Sequence, residues 1–238
     1  MGIALRKSRF LMILSHEKKF IFICNGKTGT SSIETALGEY QEGAEFEVPV
    51  DGLYTPKHIP PVALKGLLGP SLWKEYFVFV FVRNPWDWFV SQYFWNHDPD
   101  PISKKRLLRS PIQTIEGYWE KKRKREKLRS LEMFTSDDIS KTYSLLRKYR
   151  GIYEADSLFQ YHYAYSPDGT RLVDFVGRFE RIETDFQQAM GHLGIDAELP
   201  HRNPSSHRDY RAYYTSETAA LIRDLYAVDV ETFDYTYD

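Results

Sequence analysis

The sequence holds a single cysteine. Cys24 is the one thiol in 238 residues, so an internal disulfide is excluded, and no Cys/His spacing matches a zinc site. It lies in an apolar run, where a buried core thiol is the expected role. Long apolar runs are missing as well. The longest clean one, Phe77 to Val82, is far short of the ~20 residues of a membrane-spanning helix. Phe10 to Leu14, behind Arg6, Lys7 and Arg9, is too short for a secretory signal. Arg6 stands where a myristoylation signal needs Ser or Thr, and proline blocks the sequon Asn203-Pro204-Ser205. These absences lead us to expect a cytoplasmic protein without a membrane span. An excess of one charge is lacking too: the net charge is −1, so no global field recruits nucleic acid or a membrane surface. Internal repeats and low-complexity tracts are absent.

What is present is an ordinary globular composition, 42% hydrophobic and 27% charged, and a length suited to one large core. The most informative stretch is Phe20 to Ser32. Phe20 to Cys24 reads as a short buried strand of a parallel sheet. Asn25 to Gly29 reads as a turn in which Gly26 and Gly29 relax the backbone. A helix follows, with Ile33, Ala36, Leu37 and Tyr40 on one face. Ser31 and Glu34 have the spacing of a capping box, placing the helix start at Thr30 or Ser31. Strand, glycine turn and helix N-terminus together make an anion site. Lys27 adds a charge, and Thr28, Thr30, Ser31 and Ser32 add hydroxyls, with Gly29 allowing close approach. A Walker A loop is excluded, because the glycine it requires upstream falls on Ile21.

A second site reads from Tyr76 to Asn96. Tyr76 to Val82 is a strand, Asn84 an N-cap, Pro85 the first helical residue and Asp87 an acidic residue at the positive end of the dipole. Arg83 then sits at the carboxyl end of a buried strand, where open α/β sheets bind ligands. Ser91 is two turns along the helix, about 10 Å away. Such a pair can hold a second phosphate.

Lys-Thr-Gly-Thr-Ser-Ser after a strand resembles the 5′-phosphosulfate loop of the sulfotransferases. Phe-Val-Phe-Val-Arg83-Asn-Pro-Trp-Asp-Trp-Phe-Val-Ser91 resembles their 3′-phosphate segment. The chain departs at Trp88, where many members carry a second arginine. Val176 to Glu180 and the ending Tyr226 to Tyr235 are similar to the carbohydrate (heparan/chondroitin-type) branch. The resemblance covers 20–38, 57–96 and 171–235. It implies an α/β, P-loop-like three-layer fold, with a central, mostly parallel sheet flanked by helices in a single domain over 1–238. It also implies sulfuryl transfer from 3′-phosphoadenosine 5′-phosphosulfate (PAPS), without a metal, to an acceptor hydroxyl. Lys27 and His58 are the implied catalytic residues, as charge stabiliser and general base. Ser206 and Arg208 fall where the family closes a loop over the nucleotide. His97, Glu45 and Glu47 are rival bases. A nucleotide kinase and a non-catalytic nucleotide- or polyanion-binding protein remain as alternatives.

The rest reads more coarsely. Residues 10–23 hold one or two strands around a polar turn, and 41–56 read as loop. Residues 171–180 read as a strand, Thr184 as the cap of a helix closed by Gly194, and Ser216 to Val228 as the last helix. Residues 97–170 match nothing and are expected to carry acceptor specificity. Within them, Ser103 to Ser130 has eleven Lys/Arg against three Glu. That charge run is either a solvated helix face or an attractor for an anionic acceptor such as an acidic glycan. No nucleic-acid-binding motif accompanies it.

Overall fold

The computed structural model describes residues 5–10, 13–42, 44–49, 58–96, 111–129, 133–150, 159–200 and 208–238. Its centre is a sheet of four strands. β1 (Leu5–Phe10) stands apart from it. The sheet is formed by β2 (Ile13–Ser15), β3 (Phe20–Ile23), β5 (Phe77–Val82) and β6 (Phe175–Arg178), in the order β2-β3-β5-β6. β2 and β3 form an antiparallel hairpin, while β3 with β5 and β5 with β6 run parallel. β3 leads into α1 (Thr30–Ala36), then come α2 (Pro61–Leu68) and α3 (Pro70–Glu75), and β5 leads into α4 (Pro85–Asn96). The middle contributes α5 (Pro111–Arg129) and α6 (Ser136–Arg150). After β6 come α7 (Ile182–Leu193), α8 (Ser216–Leu225) and α9 (Ala227–Thr232).

The layers follow from the period of two along each strand. Phe20 and Phe22 of β3, with Phe79 and Phe81 of β5, face one side, where Ile33, Phe186, Ala189 and Met190 of α1 and α7 cover them. Ile21 and Ile23, with Val78, Val80 and Val82, face the other side and pack on Trp86, Phe89, Val90 and Ile222 of α4 and α8. One face of the sheet is thus aromatic and the other aliphatic. Both are buried, which is why these strands read as unbroken apolar runs rather than alternating ones. β6 crosses beside Phe81 at Gly177. A Cβ there would stand 2.4 Å from the Phe81 ring, so only glycine lets the ring lie across the strand.

Several expected boundaries move. Residues 44–49, expected as loop, form β4 (Ala44–Pro49), antiparallel to β1 with Leu5 opposite Pro49 and Phe10 opposite Ala44. Gly43 and Pro49 bound this strand rather than interrupt it, and Glu45-Phe46-Glu47-Val48 alternates with period two. Of the strand expected over 171–180, only Phe175–Arg178 pairs, and Phe179–Arg181 coils into a 3-10 turn. Thr184 does not cap α7. The cap residue is Arg181, and the Asp185 carboxylate instead accepts from the Arg178 N–H at 2.8 Å. The last helix breaks at Tyr226, while Thr215 and Thr218 close a capping box on α8. Gly194 ends α7 in the left-handed conformation, as expected. Among the described residues no helix is long and apolar enough to cross a membrane.

Candidate active site

The parallel strands β3 and β5 end side by side, with the turns after them at one edge of the sheet. The turn after β3 has an unusual bonding pattern. Four successive carbonyls, from Cys24 to Lys27, are all engaged by side chains. The Cys24 carbonyl takes His58 Nδ1 at 2.8 Å. That of Asn25 accepts the hydroxyls of Thr28 at 2.8 Å and Thr30 at 2.6 Å. The Gly26 carbonyl accepts Trp88 Nε1 at 2.9 Å, and that of Lys27 accepts Arg83 Nη1 at 3.0 Å. Among the described residues, the backbone N–H groups of residues 26–31 donate to no protein acceptor. Lys27 and Gly29 both hold left-handed backbone, at φ 67° and 80°. Turning carbonyls inward through such conformations aims successive amides at one point, the geometry of an anion-binding nest.

Gly29 suits this turn on backbone grounds. Its φ is positive, which any L side chain would strain, and a Cβ would also push back the Ile182 methyl tip, 2.2 Å away. The expected capping box does not form: Gly29 is the N-cap of α1 and no side chain caps the helix. Glu34 turns instead toward Cys24, whose Sγ lies 3.6 Å from its Oε1. The hydroxyls of Thr28 and Thr30 are not offered to a ligand either, because both protons go to the Asn25 carbonyl; these residues present their amides. Ser31 is exposed and Ser32 half-buried.

Arg83 is 4% exposed. Its Nε meets Asp87 Oδ2 at 2.8 Å, and its guanidinium lies 4.0 Å from the centroid of the Phe179 ring. Besides standing at the end of β5, it therefore ties that strand to the Lys27 loop. The sequence placed Asp87 at the helix dipole, and neither its pairing with Arg83 nor the Lys27 carbonyl contact was legible there. Asn84 caps α4 as expected, accepting the Trp86 N–H at 3.0 Å. Trp88, Ser91 and Trp95 share one face of α4, at i, i+3 and i+7. Trp88 reaches Gly26, and the Lys27 ammonium lies 4.7 Å over the Trp95 ring, so that face is turned to the loop. Ser91, between them, is 6% exposed, and among the described residues its hydroxyl has no hydrogen-bond partner. Where the family pattern has an arginine, Trp88 is buried and anchors the loop.

Lys27 is the charge of the site. Burial, and then the neighbouring Arg83, lower its pKa to about 8. His58 stands beside the loop, half-buried. The Cys24 carbonyl against Nδ1 only accepts, so Nδ1 donates and in the neutral ring the lone pair lies on Nε2.

A residue with no sequence signal joins the two turns. Gln160, 2% exposed, donates from Nε2 to the Arg83 carbonyl at 2.6 Å. Its Oε1 accepts the Arg83 N–H at 2.8 Å and Asn25 Nδ2 at 3.2 Å. Gln160 opens a 3-10 turn, Gln160–Tyr163, whose first two N–H groups donate to the fully buried carboxylate of Asp229. Glu180 does similar work, accepting the Asn84 N–H at 2.6 Å and the Tyr235 hydroxyl at 3.1 Å. Burial, and then Glu180, raise that phenol's pKa far above its ordinary value.

Of the remaining candidates, only Arg208 and the backbone of Glu45 and Glu47 fall among the described residues. Arg208 is exposed and shares no element with the loop. Its N–H donates to the Tyr213 hydroxyl at 3.0 Å, and Tyr213 packs on Phe94 of α4 at 5.5 Å. Ser206 and His97 lie outside the described residues, as do residues 103–110 and Ser130 of the basic stretch. Glu45 and Glu47 fall on β4. Among the described residues no three His, Cys, Asp or Glu side chains form a metal-binding group.

A model of the sulfotransferase family matches residues 9–236. No curated protein and no solved structure matches the chain.

Proposed function

We propose, since this chain belongs to the sulfotransferase family, that its donor is PAPS and its acceptor a hydroxyl of a carbohydrate or glycoconjugate. Sulfuryl transfer is what the family performs. The observation that carries the finer reading is the turn after β3, where the carbonyls of residues 24–27 are held by side chains and, among the described residues, the N–H groups of 26–31 donate to no protein acceptor, beside Lys27. That cradle fits the 5′ end of a sulfated nucleotide. Ser91, whose hydroxyl has no hydrogen-bond partner among the described residues, on the loop-facing side of α4, and Arg83 at the end of β5 fit a second phosphate.

The chemistry asked of the chain is modest. A sulfuryl group moving in line between two oxygens resembles phosphoryl transfer, in which positioning and charge stabilisation dominate. The nucleotide supplies the activated sulfuryl group. Residues 26–31 and Lys27 stabilise charge gathering on the leaving phosphate oxygen, so Lys27 acts in its protonated form. His58 takes the acceptor proton on Nε2, with Nδ1 fixed by the Cys24 carbonyl. An acidic glycan as acceptor is supported by α5. There Lys121, Lys122 and Arg123 follow Trp119, which is 49% exposed with the Lys122 ammonium 4.8 Å over its ring. A single domain over 1–238, with acceptor specificity in 97–170, belongs to the same reading.

Two phosphate sites make a direct test. 3′-Phosphoadenosine 5′-phosphate should raise the Tm well above any shift from AMP or ATP, by about 2.7 kcal/mol of added stability at a hundredfold excess over Kd. Equal shifts from all three nucleotides would refute the two-phosphate donor site.

A further inference from the structure

We propose that Trp95 is a positioning residue for the transfer, its indole face holding the Lys27 ammonium in place over the loop. The inference rests on the reading of Lys27 as the charge that meets the leaving group. Three observations carry it. First, Trp95 is 66% exposed, whereas its neighbours Tyr93 and Phe94 are 3% and 6% exposed and packed in the core. Packing therefore does not explain this ring. Second, the Lys27 ammonium lies 4.7 Å from its centroid, within cation–π range. Among the described residues no carboxylate pairs with Lys27, so the ring face is the favourable partner its charge has. Third, α4 grips the loop in register. Trp88 takes the Gly26 carbonyl, Trp95 lies two turns further along the same face, and Arg83, just before the helix, takes the Lys27 carbonyl. The backbone and the side-chain tip of Lys27 are thus pinned by one rigid segment.

The titratable groups on the flanking elements sharpen the consequence. They are Arg83 at the end of β5, Asp87 on α4 bound to it, Glu34 on α1 and His58 on the Cys24 carbonyl. Burial and Arg83 both push Lys27 toward losing its proton. A cation–π contact favours the charged form and opposes them. With the ring gone, the ammonium should lose its proton at lower pH and lose its fixed direction.

The test reads Lys27 directly, in the free protein. Wild type, Trp95→Leu and Trp95→Phe are pulsed with a limiting amine-acylating reagent across pH, and modification at Lys27 is measured by mass spectrometry. The Lys27 midpoint should fall by about half a unit to one unit in Trp95→Leu and be largely restored in Trp95→Phe. All three proteins should melt alike, because the ring is exposed. The alkaline limb of the transfer rate should move with the midpoint, kcat falling more than KM for the donor rises. Unchanged Lys27 midpoints would overturn the proposal. So would a higher midpoint in Trp95→Leu, which would make the ring a desolvating wall rather than a partner. If the midpoints shift as expected but the wild type transfers no sulfuryl group, the functional reading fails and the Trp95–Lys27 contact stands.

Discussion

Replacing Gln160 by leucine should destabilise the protein and loosen the proposed nucleotide site together. The side chain makes both ends of a two-way bond to the Arg83 peptide, at 2.6 and 2.8 Å, and a third bond to Asn25. Leucine fills similar space but leaves the Arg83 N–H and C=O buried without partners. Each orphaned buried group costs about 1–3 kcal/mol, so the pair costs about 2–6 kcal/mol. Asn25 keeps its bond to the Phe81 carbonyl and adds less. Against a typical total of about 5–15 kcal/mol this is a large fraction. For a chain of this size it corresponds to a Tm loss on the order of 10 °C. Urea unfolding followed by fluorescence gives the number. Gln187→Leu is the control, because that glutamine is exposed and bonded at 2.9 Å to the Ala197 carbonyl; its cost should stay within about 0.5 kcal/mol. Binding of 3′-phosphoadenosine 5′-phosphate should weaken in Gln160→Leu and not in the control. A Gln160→Leu protein with the wild-type urea midpoint would refute the claim that this residue couples the two turns.

Lys27→Met should be more stable than the wild type near neutral pH, by about 1–3 kcal/mol, because it removes a charge that burial and Arg83 both disfavour. The penalty is fully present below pH 8, where folded and unfolded chains both carry the proton. As the pH rises through about 8, the folded state releases it while the unfolded state keeps it to its ordinary value. Wild-type stability should therefore gain on Lys27→Met between about pH 8 and 10.5, and urea midpoints across that range check it. The same variant should lose transfer activity by roughly 10²–10³-fold, as expected on removing a transition-state donor. His58→Ala should leave nucleotide affinity unchanged, cut the rate by roughly 10²-fold or more and remove the acid limb of the pH–rate profile. Near-normal turnover in His58→Ala would move the base elsewhere.

The sequence revealed the parts of this fold that depend on local pattern. Phe20–Ile23 and Phe77–Val82 are apolar on both faces because helices cover both, and each leads through a turn into a helix with a readable start. The turn at Lys27 and Gly29 was legible because a strand running into a helix through Gly26 and Gly29 marks it, and Gly29 does hold left-handed backbone. Long-range bonding was not legible. The Ser31–Glu34 spacing suggested a capping box, but α1 is capped by glycine and Glu34 meets Cys24 across the turn. Trp88 broke the family pattern on paper, yet in space it fastens the loop. Gln160 lies 77 residues from Arg83 and 135 from Asn25, in a stretch where the sequence showed no recognisable motif, and no periodicity marks it. β4 was hidden because the glycine and proline that suggested loop stand at its ends.

The central claim is that this chain moves a sulfuryl group from PAPS through the Lys27 loop. Incubating the protein with sulfur-radiolabelled PAPS and fractionated acceptors (acidic glycans, neutral glycans, lipids and small phenols) measures that directly. Label should pass to a glycan fraction with the wild type and fall to background with Lys27→Ala. No transfer to any acceptor, or undiminished transfer by Lys27→Ala, would contradict the account.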